Sequence, residues 1–344
     1  MKYYLSPYQD AAYNQALEEH LYLAYPGQNF LLLWRNRPAV VCGKFQNIYQ
    51  EVNILEAKDR GVDLVRRISG GGTVYQDLGN INYSLIGHKD GLGPNYQPIL
   101  DKICASLALL GAQVQIIDGI ALGLAGGEGG LKISGSAQAS SQDRLLHHGT
   151  LLYDADLSAL HRLANGHNEN FSTRGTRSVP WPVTNLRDHL ANDLGDSSAF
   201  LQAWLAALQE VFEVSEAFVL SETDRQAIDQ VYQEKYTQWA WTFAQGPAFS
   251  FSRDLSDEVI ELEPGQGSTP NHPNQETIQA PRPPASRLSH ISYSVKKGLI
   301  QDLTCEPAWP QLSQALVGLS LEPGQVKAQL DQLGAGSVLP YFFG

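Results

Sequence analysis

The chain has 344 residues, 43% of them hydrophobic and 17% charged, with a formal net charge of −12 at pH 7. That is the composition of a globular protein with room for one large domain and a smaller one. The acidic balance argues against general nucleic-acid affinity, which needs basic surface to displace counterions. No run of eighteen apolar residues and no basic-then-apolar leader occurs, and MKYYLSPYQD reads as the start of a folded unit, so membrane and secretory readings lose weight. Cys42, Cys104 and Cys305 are odd in number and lack CxxC spacing, which favours a reduced, cytoplasmic setting without structural zinc.

In chain order, Asp10 caps a predicted helix from Ala11 to about Ala24, with Ala12, Ala16, Leu17 and Leu21 on one face. FLLLW (Phe30–Trp34) and AVVCG are strands separated by Pro38. Gln46 and Asn47 follow where strand gives way to loop, and capping competes there with pocket lining. Glu51 to Arg60 is a short helix, and Pro98 opens another that runs to Leu110. GAQVQII is a strand, Gly123 to Gly130 a loop or hairpin end, Leu131 to Ala139 is extended, and His147 to Asp154 is a further strand. Asp156 begins a short helix, and Ala164 to Asn185 reads as a long surface loop of the kind that covers sites. Leu186–Leu190 and Ser197–Phe212 are helical, SETDRQAIDQVYQEKY is a serine-capped helix, and the alternation of WAWTF predicts a short strand.

A boundary near Gln245–Gly246–Pro247 divides the chain into domains 1–245 and 246–344. The second domain holds the strand AFSFSRD and a Pro-rich excursion at about 263–286, too polar and proline-laden to pack as an element. Strands Arg287–Val295 and Leu299–Leu303 follow, joined by a KKG turn, then helices Trp309–Val317 and Val326–Leu333.

The stretch from Val65 to Gly87 carries most of the chemistry. Arg66 and Arg67 close a strand, and Ser69 leads into Gly70–Gly71–Gly72, which loses too much backbone freedom to sit in a helix or strand. Thr73, Val74 and Tyr75 resume an extended run, and Ile81, Tyr83 and Leu85 alternate beyond the DLGN turn. A bare backbone entered through two arginines suits an anion held against main-chain N–H groups; a tight turn with a chance arginine pair is the alternative. It is neither a Walker loop nor a dinucleotide fingerprint. Lys132 precedes ISGSA, so a long cation emerges beside small residues. A lysine there and an arginine fork on another strand can hold a carboxylate and a phosphate together, against the plainer reading of a solvated strand-edge lysine. His147 and His148 face opposite sides of a strand and cannot easily share one ion. Asp143, Asp154 and Asp156 lack calcium-loop spacing, and there is no GxSxG elbow.

RRISGGGTVYQDLGN, followed by KISGSAQASSQDRLLHHGTLLYDADL, closely resembles the lipoate–protein ligase A family. LLLWRNRPAVVCGKFQNIYQEVN, GTRSVPWPVTNL and YTQWAWTFAQGPAFS extend the likeness over nearly the whole chain, the Pro-rich excursion excepted. The resemblance implies an α/β (α+β) fold: a mixed, largely antiparallel sheet domain of the biotin/lipoate ligase type, plus a small α+β C-terminal domain that moves during the reaction. It implies activation of lipoate by ATP and Mg²⁺ to lipoyl-AMP with release of pyrophosphate. Transfer then follows to a lysine of a lipoyl domain of a 2-oxoacid dehydrogenase E2 subunit or of the glycine-cleavage H protein.

The resemblance makes Lys132 the catalytic lysine, touching the lipoate carboxyl oxygen and the α-phosphate. Arg67, Gly72, Thr73, Val74 and Tyr75 bind nucleotide and lipoyl-adenylate, with Ser69, Gly71 and the pair Gln46–Asn47 shaping the pocket. Leu33, Val40, Val74, Tyr83 and Leu85 have the character of a tunnel for the lipoyl tail. The family's metal-binding aspartate sits in an Asn-Asp-Ile or Asn-Asp-Leu segment; here the nearest match is Asp118–Gly119–Ile120, so either Asp118 takes the role after a small shift or that ligand is missing. Gln76 stands where the family often has histidine. Two other readings compete. An ATP-independent octanoyl or lipoyl transferase in most cases uses an acylated cysteine, absent after Ile133–Ser134–Gly135 and after HHGT. A non-catalytic lipoate-binding relative draws only on Asp118–Gly119. A monomer without nucleic-acid or membrane partners is expected.

Overall fold

Three sheets and the helices laid against them arise from alternating apolar strands. A computed structural model of the protein describes residues 1–92, 95–126, 130–141, 143–164, 169–256 and 288–343. The Pro-rich excursion and the middle of the 123–130 stretch lie outside the described residues. In chain order the strands are β1 (Lys2–Leu5), β2 (Phe30–Trp34), β3 (Ala39–Cys42), β4 (Asp63–Arg66), β5 (Val74–Gln76), β6 (Asn80–His88), β7 (Val114–Ile117) and β8 (Ala121–Leu124). They continue as β9 (Lys132–Ser140), β10 (Arg144–Leu152), β11 (Phe171–Thr173), β12 (Glu216–Ala217), β13 (Phe249–Asp254), β14 (His290–Lys296) and β15 (Leu299–Glu306).

The largest sheet has the order β12-β1-β2-β6-β10-β9-β8-β7, parallel at β12–β1–β2 and antiparallel from β2 onward. All five residues of β2 are buried, as a central strand covered on both faces requires. Its period of two sends Leu31 and Leu33 to one core with Leu100, Ile103 and Trp204 of the helices Gln97–Leu109 and Ser197–Phe212. Phe30, Leu32 and Trp34 point the other way, onto Ala16, Leu17 and Leu21 of the helix Ala11–Ala24. That helix starts where the sequence sets it, with Asp10 accepting from the Tyr13 N–H at 2.9 Å.

A second sheet, β4-β3-β5, carries the glycine turn between β4 and β5. The third, β11-β13-β14-β15, is antiparallel throughout. It is built mostly from residues beyond 246 but takes its edge strand from Phe171–Thr173. One core joins the second and third sheets, running from Val40, Cys42 and Tyr49 to Phe249, Phe251, Tyr293 and Phe342. Among the described residues no helix is long and apolar enough to cross a membrane.

The mixed, largely antiparallel α/β architecture is the expected one; three local readings are corrected. WAWTF is a helical turn, Ala240–Ala244, not a strand. Its aromatics alternate because Trp239 stacks on Phe243 one turn away at 5.8 Å while Trp241 donates its Nε1–H to Arg66 O at 2.7 Å. The segment from Glu51 to Arg60 is interrupted, Asn47 capping Ile48–Glu51 and Asn53 capping Ile54–Asp59. Leu186–Leu190 reduces to a single short turn, Arg187–His189.

Candidate functional site

Arg66 and Arg67 leave β4 side by side and do different work. Arg66 is fully buried, its guanidinium donating to the carbonyls of Gly43, Lys44, Gln46 and Thr242. It fixes loops and offers no charge to a ligand, so the expectation that both arginines greet an anion holds for one at most. Arg67 curls back into its own turn: Nε donates to Ser69 Oγ at 2.9 Å, one terminal nitrogen to Val41 O, the other to Gly70 O at 2.6 Å and Gly72 O at 2.7 Å. These bonds account for four of its five N–H groups. Burial draws its pKa down to about 10.

Holding the Gly70 and Gly72 carbonyls inward has a consequence for the amides. In a trans peptide the following N–H points the opposite way, so those of Gly71 and Thr73 turn from the guanidinium. Gly71 has φ +85°, in the left-handed region that favours glycine. A Cβ there would lie 3.0 Å from the Arg67 guanidinium, and one at Gly43 would lie 2.2 Å from the Gly71 carbonyl oxygen, so bare backbone is required on both sides of the contact.

Two adjoining cavities, about 320 and 400 Å³, open beside this turn. They share Thr73, Val74, Lys132, Gly135, Thr150, Ser178 and Val179. Lys132 opens β9, and its backbone is gripped by the 182–184 segment, N–H to Pro182 O at 2.8 Å and O from Thr184 N–H at 3.0 Å. Its ammonium lies over Gly135, where a Cβ would come within 3.2 Å of Nζ. Among the described residues it has no ion pair or hydrogen bond. Burial lowers its pKa, and the carboxylate of Asp118 partly opposes that shift.

Asp118 is exposed on the turn between β7 and β8, with φ 48°. Among the described residues no group of three or more His, Cys, Asp or Glu side chains is placed to hold a metal. A lone carboxylate near the lysine fits Mg²⁺ only as an ion that arrives with phosphate oxygens, its usual mode.

Of the other expected residues, Arg67, Gly71, Gly72, Thr73 and Val74 line the first cavity and Tyr75 the second. Ser69 is buried beneath, against Arg67 and His148. Asn47 is a helix cap. Gln46 is buried, accepting from Gly43 N–H and Thr73 Oγ1–H, both at 2.9 Å. Gln76 reaches the first cavity while accepting from Asn36 Nδ2 at 2.6 Å. Of the expected tail tunnel only Val74 meets a cavity. Leu33, Tyr83 and Leu85 belong to the core on the opposite face of the large sheet, and Val40 to the core shared with the third sheet.

The loop over the site is tied down by Ser178. Its hydroxyl donates to Glu51, itself buried, and accepts from Thr73 N–H at 2.9 Å and Gln46 Nε2–H at 3.1 Å. Sequence reasoning missed this strap, and it missed the deep polar wall. His148 bridges Glu18 Oε1 at 2.8 Å and Ser69 Oγ at 2.6 Å, while its neighbour His147 faces the other side, with Gln138 at 3.1 Å. Gln15, Trp34 and Asn82 also line the first cavity, each with one buried polar atom that has no partner among the described residues. The available signal was polarity at inward positions, Gln15 within an apolar helix face and Asn82 within an apolar strand.

The comparisons with known proteins agree with this geometry. The family model for the lipoyl protein ligase A/B catalytic domain matches residues 10–209. The chain is 32% identical over 249 residues to lipoate–protein ligase 1 of Staphylococcus aureus, covering 71% of this chain and 74% of that protein. Among solved structures, P. falciparum LipL1 in complex with lipoate is similar with a TM-score of 0.58 at 19% identity, covering 96% of this chain and 93% of that one. Lipoate–protein ligase A bound with ATP is similar with a TM-score of 0.56 at 22% identity, over 71% and 99%. The two structural likenesses speak to fold. The matched span and the sequence identity establish that the chain belongs to the lipoyl protein ligase A/B family.

Proposed function

We propose that the protein is a lipoate–protein ligase that joins lipoate to AMP, using ATP, and then passes the lipoyl group to a lysine of an acceptor protein. One observation carries the reading: the half-buried ammonium of Lys132, unpaired among the described residues, stands where the two cavities meet. One cavity is partly apolar, with Trp34, Val41, Val74 and Ala137 on its walls, and takes the acyl chain. The other, flanked by Leu160, His161 and Trp181, takes the nucleoside.

In the first step a carboxylate oxygen attacks the α-phosphorus, the new bond is the acyl–phosphate anhydride, and pyrophosphate leaves. Two anions must be brought together, so positioning and charge neutralisation dominate and no side-chain nucleophile is required. Lys132 supplies a fixed positive charge between them. The glycine turn supplies the Gly71 N–H, held in place by Arg67, while that of Thr73 is taken by Ser178. Mg²⁺, when present, neutralises phosphate charge, with Asp118 the candidate protein ligand. Thr73 and the strap through Ser178 keep water from the anhydride. In the second step the acceptor lysine attacks the carbonyl and AMP leaves. A cysteine-based transferase is disfavoured: Cys42 and Cys305 are buried, Cys104 lies in the helix Gln97–Leu109, and none lines either cavity. The acceptors on this reading are apo lipoyl domains of E2 subunits or the glycine-cleavage H protein, and the enzyme acts as a cytoplasmic monomer.

Lipoate, ATP and Mg²⁺ with an apo lipoyl domain are expected to yield pyrophosphate and a modified lysine. Folded protein that gives neither with several acceptors tried refutes the assignment. Lys132→Ala is expected to slow adenylate formation by about 10²-fold or more, the scale of losing one preorganised electrostatic group, with the circular dichroism spectrum unchanged.

A further inference from the structure

The rim of the cleft differs in character from the rest of this acidic chain. Two loops run together there: Thr176 N–H donates to Phe45 O at 3.1 Å, and a Cβ at Gly175 would lie 3.1 Å from the same oxygen. They carry Lys44, Arg174 and Arg177, all exposed, and Arg177 reaches the first cavity. Among the described residues none of the three has an ion pair; Lys44 only places its ammonium over the Phe45 ring, 5.6 Å from the centroid. Three unpaired cations beside one opening contrast with a net charge of −12. Large apolar side chains stand in the same place: Phe45 is 59% exposed and Val179 78%, with Ile120, 48% exposed, on the neighbouring Asp118–Ile120 turn. Exposed aromatics and arginines grouped together are the composition of a protein-recognition surface, whereas single exposed apolar residues are unremarkable.

We infer that this rim, formed by the 43–47 and 174–179 loops with Ile120, is the docking surface for the acceptor, a protein domain that presents its lysine on a turn flanked by acidic side chains. The inference rests on the ligase reading, since it is the acceptor lysine that must pass this rim to reach the anhydride beside Lys132. Complementary charge at the rim steers an acidic partner towards a molecule that would otherwise repel it, and Phe45 and Val179 supply apolar contact. Val179 lines both cavities and Ile120 the first, so these two also wall the small-molecule site, whereas Phe45, Lys44 and Arg174 line neither cavity and face solvent, beyond reach of a nucleotide held there.

The test compares Lys44→Glu, Arg174→Glu and the double variant with wild type, using an apo lipoyl domain with acidic residues beside its target lysine. Pyrophosphate release without acceptor is expected to stay within about twofold of wild type. KM for the domain is expected to rise tenfold or more in the double variant, and the salt dependence of the wild-type rate to flatten. Replacing the domain's flanking acids by lysine should recover part of the loss in the double variant alone. Binding of the domain, measured by fluorescence titration, reports on docking even if no turnover occurs. Wild type that binds the domain but releases no pyrophosphate therefore overturns the ligase reading and leaves the docking surface standing. Unchanged acceptor affinity in the double variant overturns the surface, as does a raised KM for ATP with acceptor affinity intact, which would assign the cations to the nucleotide.

Discussion

On the proposed function Lys132 works as a cation, in a place that disfavours charge. Burial pulls its pKa down and Asp118 pushes it back, so the proton is lost at a lower pH than from a free lysine. A lysine loses its charge as pH rises, so adenylate formation should fall on the alkaline limb, below the range of an unperturbed ammonium. Asp118→Asn removes the opposing influence. It is expected to move that limb to lower pH in a profile of pyrophosphate release, and to raise the Mg²⁺ concentration needed for half-maximal rate. An unmoved limb with unchanged metal response would remove Asp118 from the site. Lys132 was legible in the sequence as a cation beside small residues, and the family likeness gave it a role. Arg66 was not legible: on paper it is as good an anion ligand as Arg67, and only the convergence of four carbonyls on it reveals a strut. The lipoyl-tail list went wrong for a similar reason, since Leu33 and Leu85 have the right chemistry and the wrong face of the sheet.

Among the elements, the covering loop shows how a polar side chain can close a site. Ser178 ties the 174–183 segment to Glu51 on one side and to the backbone of Thr73 on the other. Ser178→Ala removes the three hydroxyl bonds, to Glu51, Thr73 and Gln46, and keeps only the backbone N–H of residue 178 on Glu51. The expected result is a several-fold rise in pyrophosphate released per acceptor modified, because the anhydride reaches water more often. Equal ratios in the two proteins would show that the strap does not guard the intermediate. The sequence announced a long loop over the site but not its anchor, because a serine–carboxylate contact spanning residues 51 and 178 leaves no local pattern. Regular elements were far more legible: Phe30–Trp34 and Ser197–Phe212 have the bounds that apolar periodicity sets. WAWTF failed because aromatic alternation over five residues fits a strand and a tight helical turn equally well.

At the scale of the whole molecule, the packing runs across the boundary expected near residue 245. β11 lies before the boundary and pairs with β13 beyond it, Phe171 opposite Phe251. Tyr49 donates its hydroxyl to Leu321 O at 2.5 Å, and one core joins both parts. Truncation after Gln245 would uncover Tyr49 and Phe171, which pack on Phe249, Phe251 and Phe343, so the shortened chain is expected to unfold at lower temperature and to aggregate, as followed by thermal melting and light scattering. A monodisperse fragment with native melting behaviour would show two independent folding units. Sequence composition marks linkers but is blind to an edge strand lent across one. The feature with the widest reach is that loan. Thr173 ends β11 and Arg174 begins the loop over the cleft, so the gate of the active centre hangs from a post planted in the distal sheet. A substitution in the strands after residue 288, remote from any substrate, would then change how long the activated acyl group survives.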